Sequence, residues 1–201
     1  MRLSNRLFIA FLVPILVVVA ILLVLEYRSA QGAGERRMEH THSVLMAEKE
    51  ARLKDYVELA ISAVEPHYAA TDGDEDGHRE AARNLLRVLS YGKTGYFFVY
   101  DYSGTNVVLG PKPQLEGKNL IDLKDADGKP LVKALIDLAR SGGGTYAYKW
   151  DNPATGKVGN KLSYAAGLDR WQWMLGTGFY VDDIELEIAA IADEIDGQVT
   201  D

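Results

Sequence analysis

The sequence predicts an α+β protein built from a transmembrane helix, a long helix and an antiparallel sheet. Three observations support this prediction. Residues 142–184 hold three short runs rich in β-branched and aromatic residues, each bounded by Gly, Pro, Asn or Asp, as in an antiparallel meander. Residues 35–64 carry apolar side chains at helical spacing. Leu7 to Leu25 is a run of nineteen residues without a charge.

The composition is that of a folded globular chain and excludes several kinds of function. Of 201 residues, 47% are apolar and 25% are charged, which are ordinary values for folded domains. The formal net charge of -7 argues against nucleic acid as a partner. The chain has no cysteine, which excludes a disulfide framework, a thiolate metal site and a cysteine nucleophile.

The apolar run over residues 7–25 is long enough to cross a hydrocarbon core of about 30 Å as a helix. Because Arg2 and Arg6 precede it, we expect residues 1–6 to be cytoplasmic and the rest to lie outside. A cleaved signal peptide is the alternative, but its apolar core usually runs about 7–15 residues. We therefore predict a signal anchor that crosses the inner membrane once, with a periplasmic or extracellular domain behind it.

Residues 26–66 are assigned to the long N-terminal helix. Its apolar positions recur at helical spacing, namely Leu45, Leu53, Val57, Ala60 and Val64. Pro66 is expected to end the helix, because proline disfavours helical geometry in the residue before it.

An acidic turn follows the long helix. Asp72, Asp74, Asp76 and Gly77 match the first half of a calcium-binding loop. Arg83 stands where the bidentate glutamate of such a loop is required. A solvated acidic turn is therefore the preferred interpretation.

The remaining elements follow from periodicity and turn residues. In chain order they are a helix over residues 76–89, a hairpin with strands over 95–101 and 105–109, a helix over 130–140, the meander, and a final helix over 182–196. The glycines at 142–144 are expected to end the helix that precedes the meander.

Side chains of the meander should form two faces, since successive residues of a strand point opposite ways. Tyr146, Tyr148 and Trp150 would share one face of their strand. Lys161 and Tyr164 would point to opposite faces of theirs. Hydroxyl groups and an ammonium among aromatic rings suit a small pocket for a polar or anionic ligand. The alternative is that the rings only fill a core and Lys161 points to water.

Two groups of motifs stand out in order along the chain. The first is GYFFVYD at 95–101 with LEGKNL at 115–120, and the second is KLSY at 161–164 with WQW at 171–173 and GTGFYVDDI at 176–184. Together they resemble the single Cache (type 2-like) sensor domain of bacterial chemoreceptors and sensor histidine kinases. The resemblance covers about residues 35–196. It implies a PAS-like antiparallel β-sheet packed on a long N-terminal α-helix, with residues 67–184 as the sensor core and 185–201 as a helix leading toward a second membrane span.

The resemblance also implies a function. Domains of this family are extracytoplasmic input modules of chemoreceptors, histidine kinases or cyclic-dinucleotide enzymes, and many bind small organic molecules, often short carboxylates, on the sheet. This sequence departs from the family at Gly110, where a histidine often precedes the proline, and at Ser90, where an arginine is frequent.

We therefore predict a ligand-binding sensor that is not an enzyme and needs no cofactor or metal. No serine is accompanied by a His–carboxylate pattern, so no catalytic residue is assigned. Seven residues are expected to bind the ligand. Lys161 would supply the cation, and Tyr146, Tyr148 and Tyr164 would donate hydroxyl hydrogen bonds. Phe98, Tyr100 and Trp150 would form the walls of the pocket.

The resemblance leaves two functions open. In the first, ligand binding displaces a helix and the membrane span carries the shift inward, within a homodimer. In the second, the chain is a membrane-anchored solute-binding or protein-interaction module without a signalling output of its own.

Overall fold

The computed structural model describes residues 40, 42–92 and 94–182. The helices are α1 (residues 42–68), α2 (Glu75–Val88) and α3 (Val132–Arg140). The strands are β1 (Ser90–Tyr91), β2 (Gly95–Asp101), β3 (Asn106–Leu109), β4 (Gly144–Asn152), β5 (Lys157–Leu168) and β6 (Trp173–Tyr180). Short 3-10 helices cover Pro113–Leu115 and Asp169–Trp171.

The predicted membrane span, residues 7–25, and the predicted final helix beyond residue 182 lie outside the described residues. Among the helices that the structure does describe, none combines the length and the apolar character needed to cross a membrane. The chain divides into two compact units, Met1–Met46 and Ala47–Asp201. The sheet, α2, α3 and the greater part of α1 belong to the second unit.

The strands form one antiparallel sheet in the order β1-β2-β6-β5-β4, with β3 paired to β2. The predicted meander is confirmed as β4, β5 and β6. In its register Tyr148 lies opposite Lys161, and Lys161 in turn lies opposite Tyr180. Residues directly opposite each other on neighbouring strands share a face, so this register determines which side chains can meet.

The sheet is buried on both faces, so it separates two hydrophobic cores. The side chains of β2 point alternately into one core and the other. Phe97 and Val99 point into a core shared with α1 and α2. Tyr96, Phe98 and Tyr100 point into a second core, which α3 covers. This arrangement confirms the predicted α+β fold, an antiparallel sheet packed on a long N-terminal helix.

The apolar stripe of α1 lies on the sheet as predicted. Leu53, Val57, Ala60 and Val64 are at most 1% exposed. However, the helix continues through residue 68, so the prediction that Pro66 ends it is wrong. Pro66 removes one backbone hydrogen bond, but Tyr68 packs against the core beyond it, and such tertiary packing overrides the local preference.

The acidic turn between α1 and α2 caps a helix. Oδ1 of Asp74 accepts a hydrogen bond from the Gly77 amide (3.1 Å) at the start of α2. Asp72 faces His78, with 3.0 Å between Oδ2 and Nε2. These contacts account for two of the acidic residues through capping and pairing.

Candidate functional site

A small cavity lies in the second core, between the sheet and a covering segment that consists of Leu131 and the first turn of α3. Its free volume is about 10 Å³, room for about one water molecule. The lining residues come from β2 to β5 and from the start of α3: Tyr96, Phe98, Tyr100, Leu109, Leu131, Leu135, Tyr148, Trp150 and Lys161.

Lys161 is the unusual member of this set, because it is charged and only 1% exposed. Its Nζ donates a hydrogen bond to Tyr96 Oη (2.7 Å) and lies 4.1 Å from the centre of the Tyr96 ring. The rings of Phe98 and Tyr180 lie 5.4 and 5.3 Å from the same nitrogen. Within the described part of the chain, no carboxylate forms an ion pair with it.

Burial without a counter-ion lowers the pKa of Lys161 from 10.5 to about 7. The cause is desolvation, which penalises the charged form of a group removed from water. Burial also raises the pKa of Tyr96 to about 12 and raises the pKa of Tyr148 well above 10. Both phenols therefore stay neutral, and each can donate a hydrogen bond at physiological pH.

Two glycines of β6 make room for residues that line the cavity. A Cβ on Gly178 would lie 2.2 Å from Ser163 Oγ and 2.9 Å from Lys161 Cε. A Cβ on Gly176 would lie 2.5 Å from a ring carbon of Phe98. The Gly-Thr-Gly motif of the sequence therefore has a packing role, because any larger residue at these positions would enter the space of residues that line the cavity.

Five of the seven predicted ligand-binding residues line the cavity together. They are Lys161, Tyr148, Phe98, Tyr100 and Trp150. The Tyr148 hydroxyl lies 2.9 Å from Ser163 Oγ, within hydrogen-bond distance.

The other two predicted residues lie elsewhere. Tyr164 pairs with Thr145 and Thr177 across the sheet and packs against the core on the α1 side. Its side chain therefore points away from Lys161, as alternation along β5 requires. Tyr146 is on the same sheet face as Tyr148, but its hydroxyl donates to the carbonyl oxygen of Pro130 (2.9 Å) and it does not line the cavity.

Four lining residues were not predicted from the sequence. Tyr96 shares the parity of Phe98 and Tyr100 on β2, so the alternation rule could have identified it. Leu109, Leu131 and Leu135 carry no comparable signal, because only the fold brings their segments to the cavity.

An outer groove of about 410 Å³ adjoins the cavity and shares Tyr96, Leu109 and Trp150 with it. Lys112 and Asp151 form an ion pair at this groove. The ammonium of Lys112 also lies 4.9 Å from the centre of the Trp150 ring. A ligand that entered along this groove would therefore pass an ion pair and an indole ring.

The single Cache domain 2 family matches residues 45–194 of this chain. This match covers α1 from residue 45 onward, the whole sheet and all the residues that line the cavity. The chain belongs to this family. The resemblance inferred from its motifs is thus confirmed.

Known proteins with similar sequences or folds include bacterial receptors. The sensor histidine kinase MctS of Rhizobium johnstonii is 36% identical over 94% of this chain and 41% of the kinase. A methyl-accepting chemotaxis protein of Vibrio parahaemolyticus has a crystal structure that is 36% identical, with a TM-score of 0.69 over 74% of this chain and 99% of that one. A Cache chemosensory domain solved for its recognition of carboxylic acid is 26% identical, with a TM-score of 0.64 over 70% of this chain and 98% of that one.

This chain spans between 33% and 41% of the length of the curated relatives that it matches. These relatives are a sensor histidine kinase and two methyl-accepting chemotaxis proteins, and this chain carries the single Cache domain.

Proposed function

We propose that the chain is the extracytoplasmic input domain of a bacterial transmembrane receptor, and that it binds a short carboxylate at Lys161 without reacting it. The ligand carboxylate would accept hydrogen bonds from Lys161, Tyr96 and Tyr148. Bonds of this kind, from a charged donor to a carboxylate, are stronger than bonds between neutral groups. Phe98, Tyr100 and the leucines would enclose the rest of the ligand.

The observation that carries this proposal is the buried, unpaired ammonium of Lys161. A charge removed from water is costly unless it is paired, and the protein supplies only a phenol and ring faces. An anion in the cavity would complete the pairing. Among the described lining residues Lys161 is the one cation, so a ligand with a single negative charge is favoured.

The relatives support the same class of ligand. The Cache domain solved for carboxylic acid recognition covers 70% of this chain. The argument from this relative is independent of the argument from Lys161, because the first rests on similarity and the second on the geometry of the cavity. Both favour a carboxylate ligand.

Thermal unfolding of the full chain in detergent micelles would test the proposal. The panel would hold short monocarboxylates, dicarboxylates and the uncharged amides of the same acids. A ligand at a hundred times its Kd should stabilise the folded state by about 2.7 kcal/mol. We expect this shift with a monocarboxylate, and none with its amide.

The matched variants are Lys161→Met and Lys157→Met, which lie on the same strand. Lys157 is exposed, so its replacement should leave the ligand-dependent shift intact, whereas Lys161→Met should abolish it. A shift that survives in Lys161→Met would place the carboxylate site elsewhere. No shift with any solute, from a folded chain, would favour a protein-contact module instead.

The proposal includes a membrane anchor over residues 7–25 and a homodimer. The uncharged run between Leu7 and Leu25 supports the anchor, and a periplasmic sensor domain of a chemotaxis protein among the similar structures supports the location outside the cytoplasm. In such a receptor the ligand would act by favouring one arrangement of helices over another.

A further inference from the structure

The covering segment of the cavity is apolar and closely packed. Leu131 and Leu135 are at most 2% exposed and both line the cavity from the start of α3. Lys161 lines it from the sheet. A carboxylate held by Lys161 would therefore extend its hydrocarbon tail toward side chains that include these two leucines.

The free volume leaves little room for such a tail. About 10 Å³ suffices for one water molecule, so each additional carbon of the ligand must displace part of the wall. On the sheet side the wall includes the rings of five aromatic residues: Tyr96, Phe98, Tyr100, Tyr148 and Trp150. On the covering side it is made of Leu131, the N-cap residue of α3, and Leu135 on the helix itself.

We propose that Leu135, together with Leu131, sets the upper limit on the chain length of the ligand. This inference rests on the proposed function, because it concerns the tail of the same carboxylate. It assigns the chain-length specificity of the site to two apolar side chains, apart from the cation that would hold the carboxylate.

α3 offers a matched control in Ile136. It is adjacent to Leu135, equally buried at 2% or less exposure, and part of the same core, but it does not line the cavity. Leu135→Ala and Ile136→Ala remove similar amounts of packing from the same helix. Only Leu135→Ala should enlarge the space available to a ligand.

The test measures dissociation constants by calorimetry for acetate, propionate, butyrate and pentanoate with the full chain in detergent. In the wild type we expect affinity to fall as the chain lengthens. In Leu135→Ala the ratio of pentanoate to acetate affinity should rise by about fourfold for each methylene group that the enlarged cavity buries. Ile136→Ala should leave this ratio within about twofold of the wild type.

Each outcome separates the two proposals. If the folded wild type binds no carboxylate, the proposed function fails and the length limit fails with it. If the wild type binds but Leu135→Ala keeps the wild-type ratio, the length limit is overturned and the proposed function stands. If Leu135→Ala does not fold, Leu135→Val serves as a smaller truncation, and an unchanged ratio in that variant overturns the limit equally.

Discussion

The ammonium group of Lys161 is buried in a site that provides no opposite charge among the described residues that line it. Its hydrogen bond goes to a phenol and its other close neighbours are ring faces. The fall of its pKa to about 7 expresses the cost of holding that charge away from water. A bound carboxylate would supply the missing opposite charge and would restore the preference for the protonated form.

Ligand affinity should therefore depend on pH in a definite direction. Only protonated Lys161 attracts a carboxylate, so binding above pH 7 must take up a proton. We expect affinity to be nearly constant between about pH 5.5 and pH 6.5, where the ligand carboxylate is ionised, and about a hundredfold lower at pH 9 than at pH 6. Tyr96 and Tyr148 remain neutral over this range, because burial raises the pKa of both.

Calorimetry in two buffers of different ionisation enthalpy would measure this proton uptake directly. Lys161→Met is the control, with weak binding that does not change between pH 6 and pH 9. A wild-type affinity that is flat over the same interval would contradict the assignment of Lys161 as the cation.

At the scale of elements, the segment after β3 and the end of β4 meet at the outer groove. Lys112 comes from the first and Asp151 from the second, and their ion pair spans the groove beside Trp150. Tyr180 also fixes this end of β4, since its hydroxyl donates to the Asp151 carbonyl oxygen (2.7 Å). The ion pair joins two segments that line this groove, so we expect it to hinder the passage of a ligand toward Lys161.

Breaking this ion pair should change the rates of binding more than the affinity. In Asp151→Asn we expect association and dissociation to accelerate by similar factors, so that Kd changes by less than about threefold. Stopped-flow measurement of ligand binding would give both rates. The control is Asp137→Asn, which breaks the exposed Lys133–Asp137 ion pair on α3 and should leave both rates unchanged.

A result in which Asp151→Asn alters dissociation alone would contradict this role. It would indicate that Asp151 or Lys112 contacts the bound ligand instead of controlling its access.

At the scale of the whole molecule, hydrogen bonds and a ring contact connect the cavity to α1 through the sheet. The carbonyl oxygen of Tyr96 accepts a hydrogen bond from Thr177 Oγ1 (2.7 Å). The same Oγ1 lies 2.7 Å from the Tyr91 hydroxyl. The Tyr91 ring stacks on Tyr56 of α1 with 4.0 Å between centroids. A ligand that shifts Tyr96 would thus act on groups in contact with the long helix.

Tyr91→Phe should weaken this connection while preserving the ring stack. We expect ligand affinity within about threefold of the wild type, and a smaller ligand-induced change at α1. The chain has no cysteine, so Leu59→Cys, at an exposed position of α1, allows a single fluorescent label to report that change.

Tyr146→Phe is the matched control for this measurement. It also removes a hydrogen-bonded tyrosine hydroxyl, the one that donates to Pro130, but on the other side of the sheet. An equal ligand response in the wild type and in Tyr91→Phe would exclude Tyr91 as part of the connection.

Local patterns predicted much of this molecule. Strand alternation placed Tyr146 with Tyr148 on one face of β4, and Lys161 and Tyr164 on opposite faces of β5, and these placements hold in the structure. Alternation within single strands could not give the register that sets Tyr148 opposite Lys161. The pattern could not reveal that the Tyr146 hydroxyl is engaged by Pro130, or that Leu131 and Leu135 cover the cavity. Those contacts join segments distant in sequence, and their geometry depends on how α3 packs on the sheet.

Because the cavity is small, a change that raises ligand affinity should lower the conformational change that the ligand causes. A pocket already wide enough for its ligand in every arrangement of the domain would bind it and report nothing, because a ligand shifts an equilibrium only by its preference for one state. Here, admitting even a short carboxylate requires the walls to move. If the domain acts as the proposed sensor, widening the cavity, as in Leu135→Ala, should therefore produce a variant that binds more kinds of ligand and changes its conformation less with each of them.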